Sequence, residues 1–280
     1  MKKLSLNRQL IYQKVSVFLN EASGKIIDET AEVAGFLWRR GWAERNAGNI
    51  SVRLAAEDLA ESYSSHNELL IPFTKRFQEI GGNLLLVTGK NTRMRDVAAR
   101  PMENMLIIRV SDDGSGYYIL APDSQTSLRP TSELSGHLDI HCMIARSKTR
   151  ERVVIHTHAT ELIALTHIKE LCNEHQLNKV LWGMHPEAKV FVPAGAGFVP
   201  YVLTGTTAVG EAIVRVLEKH DIALWEKHGV FAIGKTPSET FDLIDIMTKS
   251  ASVYFLCRSA GIEPEGLTDS QLDELGKLKF

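Results

Sequence analysis

The sequence predicts one α/β domain with hairpins in its sheet. Helical and extended segments alternate along all 280 residues with no linker-like stretch between them. Asp112-Asp113-Gly114-Ser115-Gly116 joins two β-rich runs as a hairpin turn. The alternation lacks the βαβαβ regularity that would demand a doubly wound parallel sheet. No internal repeat or low-complexity tract divides the chain, so residues 1–280 are read as a single domain.

The elements follow from local patterns. Residues 26–40 carry Ile27, Ala31, Ala34, Phe36 and Leu37 as one helical stripe, stopped by Gly41. Residues 49–54 alternate polar and apolar, as a half-buried strand does. Residues 84–88, 105–110 and 117–121 read as further strands, and residues 55–75 as a polar surface excursion. A helix is expected after Pro130-Thr131-Ser132, with a hydroxyl residue capping it. Residues 152–158 form a β-branched strand, 160–175 a helix, 188–192 a strand and 207–220 a helix. Two extended segments, 223–225 and 230–233, flank His228-Gly229. The last long helix opens at Thr236-Pro237-Ser238-Glu239, with a cap residue, Pro at the first helical position and Glu at the third; Gly261 closes it.

Composition narrows the function. Hydrophobic residues make up 44% and charged residues 24%, enough apolar surface for a core and too little charge for disorder. Lys plus Arg is 32 against 34 Asp plus Glu, a net charge of −2, which gives no electrostatic case for nucleic acid as a partner. No apolar run is long enough to span a bilayer. At the start, Asn7, Arg8 and Gln9 interrupt the apolar stretch that a signal peptide needs. Cys142, Cys172 and Cys257 are widely spaced and odd in number, as reduced thiols in a cytoplasmic protein would be.

The chemistry sits in the histidines. His66, His167, His175 and His220 lie in polar or helix-end settings. His156-Thr157-His158 ends a strand, and alternate strand residues share a face, so the two imidazoles point to one spot. They are either a metal clamp or a hydrogen-bonded, half-buried pair. His228, before Gly229, is a turn residue or a third ligand projecting from a strand end. Glu133 is either a helix-start carboxylate or a carboxylate beside the metal that acts as base.

Taken in order, Asn46-Ala47-Gly48-Asn49-Ile50-Ser51, Thr88-Gly89, Pro130-Thr131-Ser132-Glu133, His156-Thr157-His158-Ala159-Thr160 and Lys227-His228-Gly229 resemble the class II aldolase/adducin family. The blocks 41–46 and 158–166, Leu181-Trp182 with Glu187, and residues 224–231 resemble its branch that cleaves L-rhamnulose 1-phosphate. The similarity runs over about residues 34–260. It implies α/β/α layers around a mainly antiparallel central sheet, and one Zn²⁺ per subunit on His156, His158 and His228. Glu133 is implied as fourth ligand and acid/base. A homotetramer with active sites at subunit interfaces is also implied, Glu187 serving the neighbour's site. The implied reaction is reversible cleavage to dihydroxyacetone phosphate and L-lactaldehyde, with metal neutralising the enediolate charge. Asn46 and Asn49 match the phosphate-binding turn, and Thr131 and Ser132 are further hydroxyl donors or helix-capping residues. The sequence departs from the family at Lys90-Asn91, where small residues are usual. These two either replace a hydroxyl contact or belong, with Arg93 and Arg95, to a solvated basic loop. Rival readings are another aldolase, a 4-epimerase or a dehydratase of sugar phosphates, or a metal-free adducin-like binding module.

Overall fold

A computed structural model describes residues 21–55, 69–120, 127–203 and 207–278. The expectations for Asn7–Gln9 and His66, and for most of the 55–75 excursion, lie outside the described residues. Among the described residues, nine strands form one sheet: β1 Asn49–Leu54, β2 Ile71–Pro72, β3 Leu84–Thr88, β4 Met105–Val110, β5 Gly116–Leu120, β6 Val153–Thr157, β7 Ala196–Val199, β8 Ile222–Trp225 and β9 Gly229–Gly234. Their order is β2-β5-β4-β3-β1-β6-β9-β8-β7. Every neighbouring pair is antiparallel except β7 with β8.

The central strands are buried on both faces, and their alternate residues go to opposite sides. In β3, Leu84 and Leu86 join a core with Leu37 of helix α1 (Glu21–Arg39), whereas Leu85 and Val87 meet Leu134 and Leu138. Two short helices, α2 (Met94–Ala99) and α3 (Pro101–Asn104), follow β3. Leu134 and Leu138 belong to helix α4 (Leu134–Ser147). In β6, Ile155 faces the first side and Val154 the second. Helices α5 (Thr160–Leu165), α6 (Glu174–Met184) and the later α9 (Pro237–Ser259) cover the first face with α1, through residues such as Leu162, Leu181 and Ile244. Helices α4 and α8 (Thr207–Leu217) cover the second through Ile144 and Ile213. The layers are helix, sheet, helix, with the mainly antiparallel sheet that the resemblance implies.

Four local expectations change. The helix expected over 160–175 stops at Leu165, a 3₁₀ turn covers Lys169–Leu171, and Asn173 caps the new helix α6 by accepting from Gln176 N at 2.9 Å. Thr166, at the break, bonds Ile163 O and also accepts from Lys227 N at 2.8 Å, so the interruption anchors a distant turn. Residues 188–192 are not a strand: Pro186 opens helix α7 (Pro186–Phe191), its ring presetting the first helical φ, and this local start overrides the β-propensity of Val190 to Val192. The excursion at 55–75 contributes the two-residue edge strand β2. No hydroxyl caps α4, whose cap position is Glu133 itself; Thr131 Oγ1 instead accepts from Glu133 N at 3.3 Å. Thr236 does cap α9, accepting from Glu239 N.

Candidate metal centre and active site

His156 lies in β6 opposite Asn49 of β1 and Phe231 of β9, so strand pairing alone brings three segments to one place. The loop Gly41–Asn46 is tied to the end of β6 because Trp42 O accepts from Thr157 Oγ1 at 2.7 Å and from His158 N at 2.9 Å. His228 sits in the tight β8–β9 turn, whose left-handed residue is Lys227 (φ 57°) rather than Gly229. Gly229 serves another purpose. A Cβ there would lie 2.5 Å from Thr157 O, 3.0 Å from His158 Cδ2 and 3.1 Å from His156 Cε1, so the missing side chain lets the rings converge. Trp225 stacks on His228 with centroids 3.9 Å apart, and Phe231 on His156 at 4.2 Å. One ligand nitrogen from each of His156, His158 and His228 lies within 4.8 Å of the others.

The outer ring nitrogens are already engaged. His156 Nδ1 donates to Val230 O at 3.0 Å, and His158 Nδ1 to Glu44 Oε1 at 2.7 Å. A neutral imidazole with Nδ1–H keeps Nε2 as a lone-pair donor. His156 Nε2 and His228 Nε2 are buried without any hydrogen-bond partner. Buried polar atoms are rarely left so. Burial, reinforced by the neighbouring imidazoles, depresses the pKa of His156 to about 3 and of His228 to about 4, so both are neutral and able to ligate at pH 7. Three imidazoles with a carboxylate beside them make a donor set that a divalent cation fits.

That carboxylate is Glu133, whose Oε2 is 3.7 Å from His156 Nε2. Its side chain makes no bond to the start of its own helix; it accepts from Asn49 Nδ2 at 3.2 Å. Asn49 Oδ1 bonds His137, so both ends of this amide are engaged. Asn49, grouped by sequence with the phosphate contacts, thus also turns its amide to the carboxylate.

The other phosphate candidates lie along one loop border. Gly89 bridges to Pro130, Lys90 N donates to Arg129 O, Thr131 N to Thr88 O, and Thr88 Oγ1 accepts from Ile50 N. These bonds hold the 46–49 turn, the 88–91 loop and the 130–133 segment side by side. Asn46, Lys90, Asn91 and Ser132 are exposed there, and Thr131 is buried. Asn91 takes a left-handed conformation (φ 62°), which asparagine tolerates better than most residues. Glu187 stands apart. It occupies the exposed first turn of α7, where its carboxylate is 3.0 Å from His185 Nε2, and it shares no bond with the three histidines. Trp182, whose Nε1 bonds Val192 O at 3.0 Å with Lys189 over its ring, fixes α7 against α6.

Sequence reading missed Glu44, His137, Ser51 and His141. Glu44 and Ser51 fall within the blocks that carry the resemblance. His137 and His141, at helical i,i+4 spacing four and eight residues after Glu133, are a signal that could have been taken.

The profile of the class II aldolase and adducin N-terminal domain matches residues 28–255. The chain belongs to the class II aldolase and adducin family. The class II aldolases of this family are metal-dependent and act on sugar phosphates, and the histidine cluster could hold such a metal. The chain is 38% identical over 261 residues to the rhamnulose-1-phosphate aldolase of Bacteroides thetaiotaomicron, covering 91% of this chain and 94% of that one. It is 35% identical over 253 residues to the rhamnulose-1-phosphate aldolase of Listeria monocytogenes, covering 90% and 92%. Among solved structures, a sugar-phosphate aldolase from Thermotoga maritima superimposes with a TM-score of 0.72 at 30% identity, covering 86% and 98%. Among the described residues no helix is long and apolar enough to cross a membrane.

Proposed function

We propose that this protein catalyses reversible retro-aldol cleavage of L-rhamnulose 1-phosphate to dihydroxyacetone phosphate and L-lactaldehyde, with zinc held by His156, His158 and His228. The observation that carries this reading is the convergence of three imidazoles on one point with the Glu133 carboxylate beside them. When bound, zinc supplies a Lewis acid for the negative charge that develops as the C3–C4 bond breaks. Glu133 as the carboxylic acid delivers the proton to C3 in cleavage, and as the carboxylate removes it in synthesis. Glu187, from the neighbouring subunit of a homotetramer, orients the aldehyde-side hydroxyls and moves the proton at that end. Asn46, Asn49, Lys90, Asn91, Thr131 and Ser132 hold the phosphate, through turn N–H groups and side-chain donors. The whole chain, 1–280, acts as one catalytic domain in the cytoplasm.

The test is to incubate the protein with L-rhamnulose 1-phosphate after chelation and after adding back zinc, and to identify the products. Dihydroxyacetone phosphate and lactaldehyde in the zinc-loaded sample alone support the proposal. Full activity after exhaustive chelation, or an epimerised or dehydrated product, sinks it.

A further inference from the structure

Beneath Glu133 lies a chain of buried polar side chains, of which His137, Ser51 and His141 have no part in the metal or substrate binding proposed above. Asn49 Nδ2 donates to Glu133 Oε2, and Asn49 Oδ1 meets His137 Nε2. His137 Nδ1 lies 2.7 Å from Ser51 Oγ, and Ser51 Oγ lies 2.8 Å from His141 Nε2. Ser51, His137 and His141 have no exposed surface, and Asn49 is 6% exposed. The positions follow from local periodicity. Asn49 and Ser51, two apart on β1, share a strand face; His137 and His141, four apart on α4, share a helix face. Any member left unpaired in such an interior is costly, so a chain like this holds one arrangement strongly.

Chemistry gives the chain a single direction. Asn49 Nδ2 donates to Glu133 Oε2, so the amide oxygen, which has no hydrogen to give, is the end that faces His137. That carbonyl needs a donor, so His137 carries its hydrogen on Nε2. Both imidazoles are wholly buried and neither bonds a carboxylate, so each carries a single ring hydrogen. His137 Nδ1 is then a bare acceptor and takes the Ser51 hydroxyl proton. Ser51 Oγ in turn accepts from His141 Nε2–H, and His141 Nδ1 is left with no partner. Running the chain the other way would set two acceptors, His137 Nε2 and Asn49 Oδ1, against each other.

We infer that His137, Ser51 and His141 are positioning residues: their one-way hydrogen-bond chain locks the Asn49 amide and thereby fixes the Glu133 carboxylate for proton transfer at C3. The inference rests on Glu133 being the proton-transfer residue, as proposed above. Its side chain is 39% exposed and borrows no bond from its own helix, so the Asn49 amide is what restrains it. The locked orientation survives the approach of substrate because reversing the amide would break the bonds to Glu133 and His137 together.

The closing experiment uses the full-length, zinc-loaded protein. Ring ¹⁵N spectra of histidine-labelled protein should show His137 and His141 both as neutral Nε2–H tautomers; an Nδ1–H or doubly protonated His137 overturns the inference, and this readout needs no variant to fold. His137→Leu removes the donor to Asn49, whereas His137→Gln keeps an N–H near the position of Nε2. We expect His137→Leu to lower kcat about 10- to 100-fold, the effect usual for outer-shell partners, with KM and zinc content close to wild type. His137→Gln should recover most of the loss. Equal losses in both variants, or an unchanged kcat in His137→Leu, overturn the inference. Glu133→Gln is run alongside: if it leaves C3 proton exchange of dihydroxyacetone phosphate intact, the role of Glu133 fails, and the tautomers still report separately on the chain.

Discussion

Glu44 accepts a hydrogen bond from His158 Nδ1 at 2.7 Å and leaves Nε2 as that ring's free nitrogen. Partial burial pushes the Glu44 carboxyl up, but the His158 bond, its own backbone and the nearby imidazoles outweigh this and hold it below its ordinary value. A carboxylate behind a ligating imidazole sets the tautomer and raises ligand basicity. Glu44→Ala should weaken zinc binding about 10-fold, the low end for such partners because this carboxylate is mostly exposed. Competition with a chelator of known affinity measures it. Unaltered zinc affinity would show that the pair is a surface contact.

Gly229→Ala tests how the rings converge. The new methyl group meets the Thr157 carbonyl at 2.5 Å, and backbone cannot yield as a flexible side chain can. Overpacking of this kind costs about 1–3 kcal/mol, so the melting temperature should fall. Zinc occupancy should fall with it, because His156 and His158 border the same methyl. A variant with full zinc content and wild-type stability would contradict the close-approach role.

Glu187 and His156 should complement each other between chains. Glu187→Ala and His156→Ala homo-oligomers are each expected to be inactive, for different reasons. After mixing, dissociation and reassembly, some interfaces would join an intact histidine cluster to an intact Glu187, and activity should return. Failure of any recovery, or a monomer by light scattering, removes Glu187 from the neighbour's site.

Acid should destabilise the metal-free protein early. Burial holds His137 at about 4, His156 at about 3 and His228 at about 4, and His141 well below its ordinary value. Below about pH 6.5 the unfolded chain therefore binds protons that the folded chain refuses, and stability falls with falling pH. The loss continues until the folded pKa values are reached. Asp139, Asp221 and Asp242 are shifted upward by burial and pull the other way, but from an ordinary value of 3.8, so the upper part of the window belongs to the histidines. Urea midpoints at several pH values between 8 and 4.5 measure this. A midpoint that is flat from pH 7 to 5 would mean that these histidines are not buried in the neutral form.

Much of the fold is legible in periodicity. Strands such as Leu84–Thr88 and Met105–Val110, and the capped helix Pro237–Ser259, are set by neighbouring residues. The misreadings came where a local signal was weak against its surroundings. Val190 to Val192 favours a strand, yet Pro186 starts a helix that runs as far as Phe191; Asn173 divides what periodicity presents as one helix.

For the site, the sequence by itself determined that His156 and His158 share a face, because side chains alternate along any strand. It also placed His228 at a turn and marked the ordered blocks of the family. Tertiary structure alone decided the rest, because hydrogen-bond partners distant in sequence have no spacing rule to betray them. Pairing of β1 with β6 sets Asn49 opposite His156, and packing of α4 on the sheet brings His137 to Ser51 across 86 positions. Asn49, a phosphate-turn residue by resemblance, thereby also becomes the partner of Glu133 in the fold. Which atom of its amide faces the carboxylate is set by the direction of a buried hydrogen-bond chain, a property that exists only once every member is in place.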